Sequence, residues 1–191
     1  MAPETTAKEQ TPAQAERSEQ ELVRLGKLER AKELGYPYPN DVRVTASSEK
    51  VHQVVDAELL KPEAERERFC VAGRIMTMRL MGKAAFFHIQ DRYDQLQVYV
   101  RRDDVGEETY EYFKSFDLGD IVEVKGYAFR TKTGEPSLHA TSVRLLVKCL
   151  SPLPEKWHGL TDVEKRYRQR YLDLIVTPDS RDRFVMRSKI V

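Results

Sequence analysis

Cysteine is scarce in this sequence, since the 191 residues contain only two, Cys70 and Cys149. They are far apart in the chain and do not have the spacing of a metal site. Each lies in an apolar, strand-like run, where a reduced cysteine behaves as a small buried apolar residue. We therefore expect a reducing compartment, no disulfide framework and no zinc site.

The sequence also has no apolar run long enough to span a membrane, and its first ten residues, MAPETTAKEQ, lack the apolar core of a signal peptide. These absences favour a cytoplasmic protein without a membrane partner. Neither sign of charge is in excess, because 32 Lys and Arg face 31 Asp and Glu, which leaves a net charge of +1. Any affinity for nucleic acid must therefore come from local patches of charge.

Signatures of catalysis are missing as well. The sequence has no glycine-rich loop of the kind that cradles phosphate. Its four histidines, His52, His88, His139 and His158, form no recognisable triad with a nucleophile. We assign no catalytic residue and no metal ligand.

What the sequence does contain is a hairpin pattern between Met81 and Arg101, MGKAAFFHIQDRYDQLQVYVR, with strict two-residue alternation. One face is apolar and should pack on a core: Phe87, Ile89, Leu96, Val98 and Val100. The other face combines aromatic rings, which stack on bases, with polar side chains: Phe86, His88, Gln90, Gln95, Gln97 and Tyr99. This second face indicates single-stranded nucleic acid, although the hairpin alone would also fit an ordinary solvated sheet face.

The order of elements around the hairpin is that of the OB-fold. A long first strand is expected from Phe69 to Leu80, with Gly73 marking a bend or a close backbone approach, so that the strand can serve two sheets. After the hairpin we expect a short helix near 104–116, a fourth strand near 121–131, a glycine turn at 132–135 and a fifth strand near 137–150. This is a mainly β fold, a five-stranded barrel that binds oligonucleotides on the face of strands two and three.

Helices are expected before the barrel. We expect a disordered tail over residues 1–18, in which Thr11 to Gln14 resembles a capping box, and a helical segment over 19–64. The first helix is charged and should end near Gly35, and a second begins at Ser47 or Ser48. The basic residues of the first helix would either dock on their own domain or follow an RNA backbone.

The barrel geometry brings basic and acidic side chains to the rim of the binding face, namely Arg79, Lys83 and the loop 130–136 with Arg130, Lys132 and Glu135. Simple alternation, however, puts Arg79 in register with core-facing residues of the first strand. The first strand therefore needs a bulge or bend before Arg79.

After strand five a proline-bounded linker leads to a capping box at Thr161 to Glu164 and then to the helix RYRQRYLDLI. Preceded by HGL and followed by an arginine-rich helix beginning RSKI, this run resembles the lysyl-tRNA synthetases. The stretches GRIMTMRLMGKAAF, LGDI and TKTGE resemble the anticodon-binding domain of the same family. The resemblance spans roughly residues 20–191, and the related aspartate and asparagine enzymes are expected to carry a different linker.

The resemblance implies a partner and a set of contacts. The partner is lysine tRNA, whose anticodon is rich in uridine. The implied anticodon contacts are Arg79, Phe86, Gln97 and Glu135, with His139 as a weaker candidate, while Lys83, Arg130 and Lys132 would lie at the tRNA backbone. The sequence departs from the family at Pro136, where an apolar residue other than proline is usual, and this change should alter the loop bearing Glu135.

The resemblance also implies a class II parent enzyme, a homodimer that uses ATP and Mg²⁺ to activate lysine and transfers it to tRNA. The chain ends in the first helix of motif 1 and lacks motifs 2 and 3, so we expect no catalysis and no cofactor here. The expected organisation continues with the OB-fold at 65–150, the linker with RYRQRYLDLI at 151–178 and a truncated catalytic domain at 179–191. A free-standing single-strand-binding module and a protein-interaction module are the alternatives.

Overall fold

The computed structural model describes residues 18–33, 38–154 and 162–191. The chain divides into two compact units, Met1–Ser151 and Pro152–Val191. The first unit contains α1 (Glu19–Glu33), α2 (Ser48–Leu59), a 3₁₀ turn (Glu63–Glu65), β1 (Arg68–Met81), β2 (Ala84–Gln90), β3 (Gln95–Arg101), α3 (Arg102–Val105), α4 (Glu107–Phe113), β4 (Ile121–Arg130) and β5 (Pro136–Val147). The second unit contains α5 (Val163–Arg168), α6 (Arg170–Val176) and α7 (Pro178–Ile190).

The five strands form a closed barrel in the order β1-β2-β3-β5-β4. Neighbouring strands are antiparallel except β3 and β5, which run parallel. A closed five-stranded barrel with helices between its third and fourth strands is an OB-fold. The predicted fold is therefore confirmed.

Strand β1 belongs to both sides of the barrel, because its first half pairs with β4 and its second half with β2. Gly73 lies where the two halves meet, and a Cβ there would come within 3.0 Å of the β2 backbone, so the predicted close approach is confirmed. The register then shifts between Ile75 and Thr77, which is the predicted bulge. Beyond this bulge Arg79 pairs with Phe86 and shares its face.

The apolar face of the β2–β3 hairpin forms the centre of the core. The five residues predicted to pack there are at most 1% exposed: Phe87, Ile89, Leu96, Val98 and Val100. The residues of the opposite face are half-buried. The structure thus confirms the division of the hairpin into a core face and a surface face.

Helices cover the ends of this core. Helix α2 begins where predicted, since Ser47 accepts a hydrogen bond from the Lys50 backbone N–H at 3.2 Å. The single helix expected from Asp104 is instead two helices, α3 and α4, because Gly106 between them adopts a φ of 88°, outside the helical range. Tyr110 and Phe113 of α4 are fully buried, as expected of its apolar side.

Helix α1 begins at Glu19 with a capping box that was not predicted from the sequence. Ser18 Oγ accepts from the Glu21 backbone N–H at 3.3 Å, and the Glu21 carboxylate accepts from the Ser18 N–H at 3.2 Å. The predicted box at 11–14 and the predicted stop near 35 lie outside the described residues. Arg24 donates to the carbonyl of Cys149 at 2.8 Å and Lys27 to Asp117 at 2.6 Å, which favours docking of α1 on its own domain.

The second unit corrects two expectations. RYRQRYLDLI is not one helix, because Gln169, with φ −117° and ψ 57°, separates α5 from α6. RSKI ends α7 instead of beginning a helix. Asp162 caps α5 by accepting from the Lys165 N–H at 3.1 Å, while the preceding Thr161 lies outside the described residues.

Both cysteines are free thiols. Cys70 is buried in β1, where burial and a hydrogen bond to Glu123 raise the pKa of its thiol to about 11. Cys149 is half-buried and donates to the carbonyl of Ser151 at 3.2 Å. Across the ranges given above, none of the helices combines the length and the apolar character that crossing a membrane requires.

Candidate nucleic-acid interface

Strand register arranges the surface face of the barrel in two rows, each with one residue from β1, β2, β3 and β5. The polar row is Thr77, His88, Gln97 and Ser137. The aromatic row is Arg79, Phe86, Tyr99 and His139. Directly paired residues project to the same side of a sheet, so the two rows lie next to each other on one surface.

The aromatic row presents a group of rings. The ring centroids of Phe86 and Tyr99 are 4.9 Å apart with the planes tilted by 39°. The centroid of the Tyr99 ring also lies 5.9 Å from that of Phe129 in β4 and 5.2 Å from that of His139, the latter in a T-shaped arrangement. Phe86, Tyr99 and Phe129 are each half-buried, so part of each ring is accessible to solvent and to a stacked base.

The polar row is linked by hydrogen bonds to Glu135 in the β4–β5 turn. Ser137 Oγ donates to Gln97 Oε1 at 2.8 Å, and Gln97 Nε2 donates to Glu135 Oε2 at 2.7 Å. His88 Nε2 lies 3.3 Å from Glu135 Oε1, and His88 Nδ1 lies 2.7 Å from Thr77 Oγ1. The Gln97 amide and the Glu135 carboxylate, both predicted from the sequence to contact the anticodon, are therefore in direct contact.

The turn that carries Glu135 is closed by Thr131. The Thr131 N–H donates to the Glu135 carbonyl at 3.1 Å, and Thr131 Oγ1 accepts from the Glu135 N–H at 3.1 Å. Gly134 supplies the positive φ of 88° that this turn requires. Pro136 opens β5 opposite Arg130, and Glu135 reaches the polar row from this turn.

The predicted basic residues differ in their surroundings. Arg79, Lys83 and Lys132 are exposed at the rim of the face. Arg130 is engaged within the protein, because its guanidinium donates to both oxygens of Asp56 in α2, at 2.7 and 2.9 Å, and to the Gly134 carbonyl at 2.7 Å. Arg130 thus fastens the turn to α2, and its contact with a tRNA backbone stays a prediction.

His139 is also engaged by protein groups. Its Nε2 lies 2.8 Å from Asp104 Oδ2 and its Nδ1 lies 2.9 Å from Tyr127 Oη, while its ring stacks on Tyr127 at 4.8 Å. Burial and a hydrogen bond to Glu63 raise the pKa of the Tyr127 phenol. In this position His139 can support the Tyr99 ring. Contact of His139 with an anticodon stays a prediction.

Three residues of this surface were not selected from the sequence: Thr77, Phe129 and Ser137. Ser137 shares its face with His139, and Phe129 with Tyr127, at the two-residue spacing of a strand. Extending the alternation from the hairpin into β4 and β5 would have identified both. The described residues contain no group of three or more His, Cys, Asp or Glu side chains placed to hold a metal ion.

Comparison with known proteins agrees with this geometry. The family described as "OB-fold nucleic acid binding domain" matches residues 69–146. Lysine-tRNA ligases of Salmonella paratyphi B, Salmonella newport and Salmonella heidelberg are each 52% identical to this chain over 171 residues, which is 88% of the chain and 34% of each relative. The chain therefore spans about a third of the length of the curated relatives it matches. Taken with the barrel, these matches show that the chain contains an anticodon-binding OB-fold domain and matches the N-terminal region of lysine-tRNA ligases.

Proposed function

We propose that the surface formed by the two rows binds the anticodon loop of lysine tRNA. The observation that carries this proposal is the contact between Gln97 and Glu135 in the row next to the half-buried ring of Phe86. Unpaired bases of an RNA loop are splayed out, stacked on aromatic rings and read along their edges. The aromatic row offers the rings, and the polar row offers the hydrogen-bonding groups.

The chemistry of uracil suits these groups. Its edge has two carbonyl acceptors and one N–H donor. Gln97 Nε2 has two protons and gives only one to Glu135, so the other is available to a base carbonyl. The Glu135 carboxylate has lone pairs left to accept from the base N–H, which selects against a base with an acceptor at that place. Phe86 would stack on the same base.

The exposed cations at the rim would hold the phosphates. Arg79 lies opposite Phe86 and would reach a base carbonyl or a phosphate, while Lys83 and Lys132 would contact the backbone. Contacts to phosphate fix the position of the RNA without reading its sequence. With a net charge of only +1, the protein depends on these local cations for electrostatic attraction.

A pair of substitutions tests the assignment. Gln97→Ala should weaken binding of a hairpin RNA with uridine at the read position by roughly 1–3 kcal/mol and leave a cytidine hairpin nearly unchanged. Lys132→Ala should weaken both hairpins alike and reduce the slope of log K against log salt by about one unit or less. The measurement is a set of affinity titrations at several salt concentrations.

The alternatives give other results in the same titrations. A sequence-indifferent single-strand binder would show equal losses for both hairpins with Gln97→Ala. A protein-interaction module would bind neither hairpin. Equal weakening by Gln97→Ala, together with a changed preference in Lys132→Ala, would reverse the assigned roles and contradict the proposal.

For the complete ligase we propose ATP-dependent activation of lysine with Mg²⁺, transfer to the lysine tRNA and a homodimeric state. The described residues contain no group of three or more His, Cys, Asp or Glu side chains placed to hold a metal ion such as Mg²⁺. For the 191-residue chain by itself we propose weak but selective binding of lysine tRNA and no lysine-dependent ATP–pyrophosphate exchange. Exchange above the rate without lysine would contradict this assignment.

A further inference from the structure

A glutamine side chain does not by itself distinguish uracil from cytosine. Uracil offers an N–H donor beside a carbonyl acceptor, whereas cytosine offers a ring-nitrogen acceptor beside an amino donor. The glutamine amide carries one acceptor and one donor group, and rotation by half a turn exchanges their places. A freely rotating amide at position 97 would therefore pair with either base.

The polar row removes this freedom at Gln97. Ser137 Oγ donates to Gln97 Oε1 at 2.8 Å on one side, and Glu135 Oε2 accepts from Nε2 at 2.7 Å on the other. Rotation of the amide would put its oxygen against the Glu135 carboxylate, where two acceptors repel each other. Ser137 is fully buried, and its hydroxyl, which also lies 3.2 Å from the Glu135 carbonyl, donates its single proton to the nearer acceptor, Gln97 Oε1.

Glu135 is itself held from a second strand. His88 Nε2 lies 3.3 Å from Glu135 Oε1, the oxygen to which Gln97 does not donate. Thr77 Oγ1 lies 2.7 Å from the other ring nitrogen of His88, Nδ1. When the Thr77 hydroxyl donates to Nδ1, the ring proton lies on Nε2 and is directed at Glu135. In this tautomer His88 holds the Glu135 carboxylate in place.

We propose that Ser137 and His88, the latter oriented by Thr77, are positioning residues that fix the Gln97 amide in the orientation that accepts uracil and rejects cytosine. This inference rests on the proposed function, because it requires Gln97 to contact the base. It adds that discrimination depends on residues that themselves need not touch the RNA. Loss of either one should lower the free-energy cost of rotating the amide and so raise the affinity for cytosine.

The experiment compares binding of the uridine and cytidine hairpins to variants of the full chain. Ser137→Ala and His88→Leu should each reduce the preference for uridine by roughly fivefold or more, with a gain in affinity for the cytidine hairpin. His88→Gln, whose amide N–H can replace Nε2–H, should keep the preference. Ser142→Ala, an exposed site on the same strand as Ser137, is the control and should change nothing.

The gain for cytidine separates positioning from mere structural damage, which would weaken both hairpins. If Ser137→Ala unfolds at a markedly lower urea concentration, the positioning role is tested instead by His88→Leu and His88→Gln. The preference for uridine should then fall in His88→Leu and be kept in His88→Gln. Preservation of the preference in both Ser137→Ala and His88→Leu, while Gln97→Ala abolishes it, overturns the positioning role and leaves the proposed function standing. Preservation of the preference in Gln97→Ala overturns the proposed function itself.

Discussion

Phe86 is the side chain on which stacking of a base depends most directly. Its ring is half-buried, and Tyr99 on the neighbouring strand, 4.9 Å away, contacts it. On its other side, Phe86 pairs with Arg79 of β1, whose side chain is an exposed cation. The ring is thus fixed by a neighbour and still has surface that a base can cover.

Replacing Phe86 with alanine should lower the affinity for an anticodon hairpin by roughly 1–3 kcal/mol, the usual worth of one stacked base. The free energy of unfolding should change much less, because the ring lies outside the core. Affinity titration and urea denaturation of the same variant provide both measurements. Tyr93→Ala is a matched control, since Tyr93 is 59% exposed on the β2–β3 turn and outside both rows.

A different pair of results would contradict this assignment of Phe86. Unchanged affinity together with a large loss of stability would show that the ring serves packing and not binding. An equal loss of affinity in Tyr93→Ala would show that any exposed aromatic ring on this side of the barrel contributes.

At the scale of elements, alternation within a hairpin could be predicted from sequence because the two faces of a strand repeat every second residue. The bulge in β1 could also be predicted, since Arg79 would otherwise point into the core. The contact of Gln97 with Glu135 could not, because it joins residues 38 apart through the parallel pairing of β3 with β5. Alternation therefore identified the site residues within the hairpin, whereas Ser137 of β5, whose hydroxyl donates to Gln97, was not selected.

The break at Gln169 was missed for a related reason. Local propensity favours a continuous helix through RYRQRYLDLI, but Asp173 is fully buried and accepts from Arg166 at 3.2 Å and from Arg170 at 2.7 Å. Burial opposes ionisation of Asp173, yet hydrogen bonds from Thr177, Ser180 and Arg170 keep its pKa below the ordinary value. The burial of Asp173 and its contact with Ser180 of α7 leave no periodic signal in the sequence.

Asp91 joins the β2–β3 turn to the start of α2. Its carboxylate accepts from the Ser48 N–H and hydroxyl, both at 2.7 Å, and from the N–H groups of Tyr93 and Asp94 at 2.8 and 3.0 Å. Burial alone would raise the pKa of this carboxyl, but the hydrogen bonds hold it below the ordinary value. The negative charge also lies at a helix N-terminus, where it is favoured.

Asp91→Ala should therefore lower the free energy of unfolding by about 1.5–3 kcal/mol at neutral pH, the range for hydrogen bonds to a charged group. Because the folded-state pKa is depressed, the contribution is complete above the ordinary aspartate pKa of about 3.9 and is lost as the pH falls through the folded-state value. Urea denaturation of wild type and variant at a series of pH values measures the difference.

The sign of the pH dependence is the decisive part of this prediction. The difference in the free energy of unfolding between wild type and Asp91→Ala should become smaller as the pH falls. An increase in this difference at lower pH would contradict the prediction. Asp56→Ala serves as the control, since it also removes a carboxylate that joins α2 to the barrel, in this case an exposed one that pairs with Arg130. Its effect should be clearly smaller.

At the scale of the whole molecule, a cluster of charges ties α1 to the end of the barrel. Lys148 donates to Asp120 at 2.8 Å and also to Asp117, which accepts from Lys27 of α1 at 2.6 Å. The side chains of Lys148 and Asp120 are 2% and 0% exposed. Burial opposes ionisation of Asp117, but Lys148 and Lys27 hold its pKa below the ordinary value. Since breaking a buried ion pair is costly, the first unit needs the chain at least as far as Lys148.

All the residues predicted to contact the anticodon lie in this first unit, which ends at Ser151. A chain shortened after Ser151 keeps the Lys148 cluster and the Ser151 hydroxyl that donates to Glu21 at 2.7 Å. We expect it to unfold cooperatively in urea and to bind the uridine hairpin within about twofold of the full chain, as for independent parts of a protein. Gln97→Ala in the shortened chain should abolish the preference for uridine as it does in the full chain. A folded, shortened chain that binds more than about tenfold less tightly, a difference of about 1.4 kcal/mol, would instead assign part of the RNA-binding surface to residues 152–191.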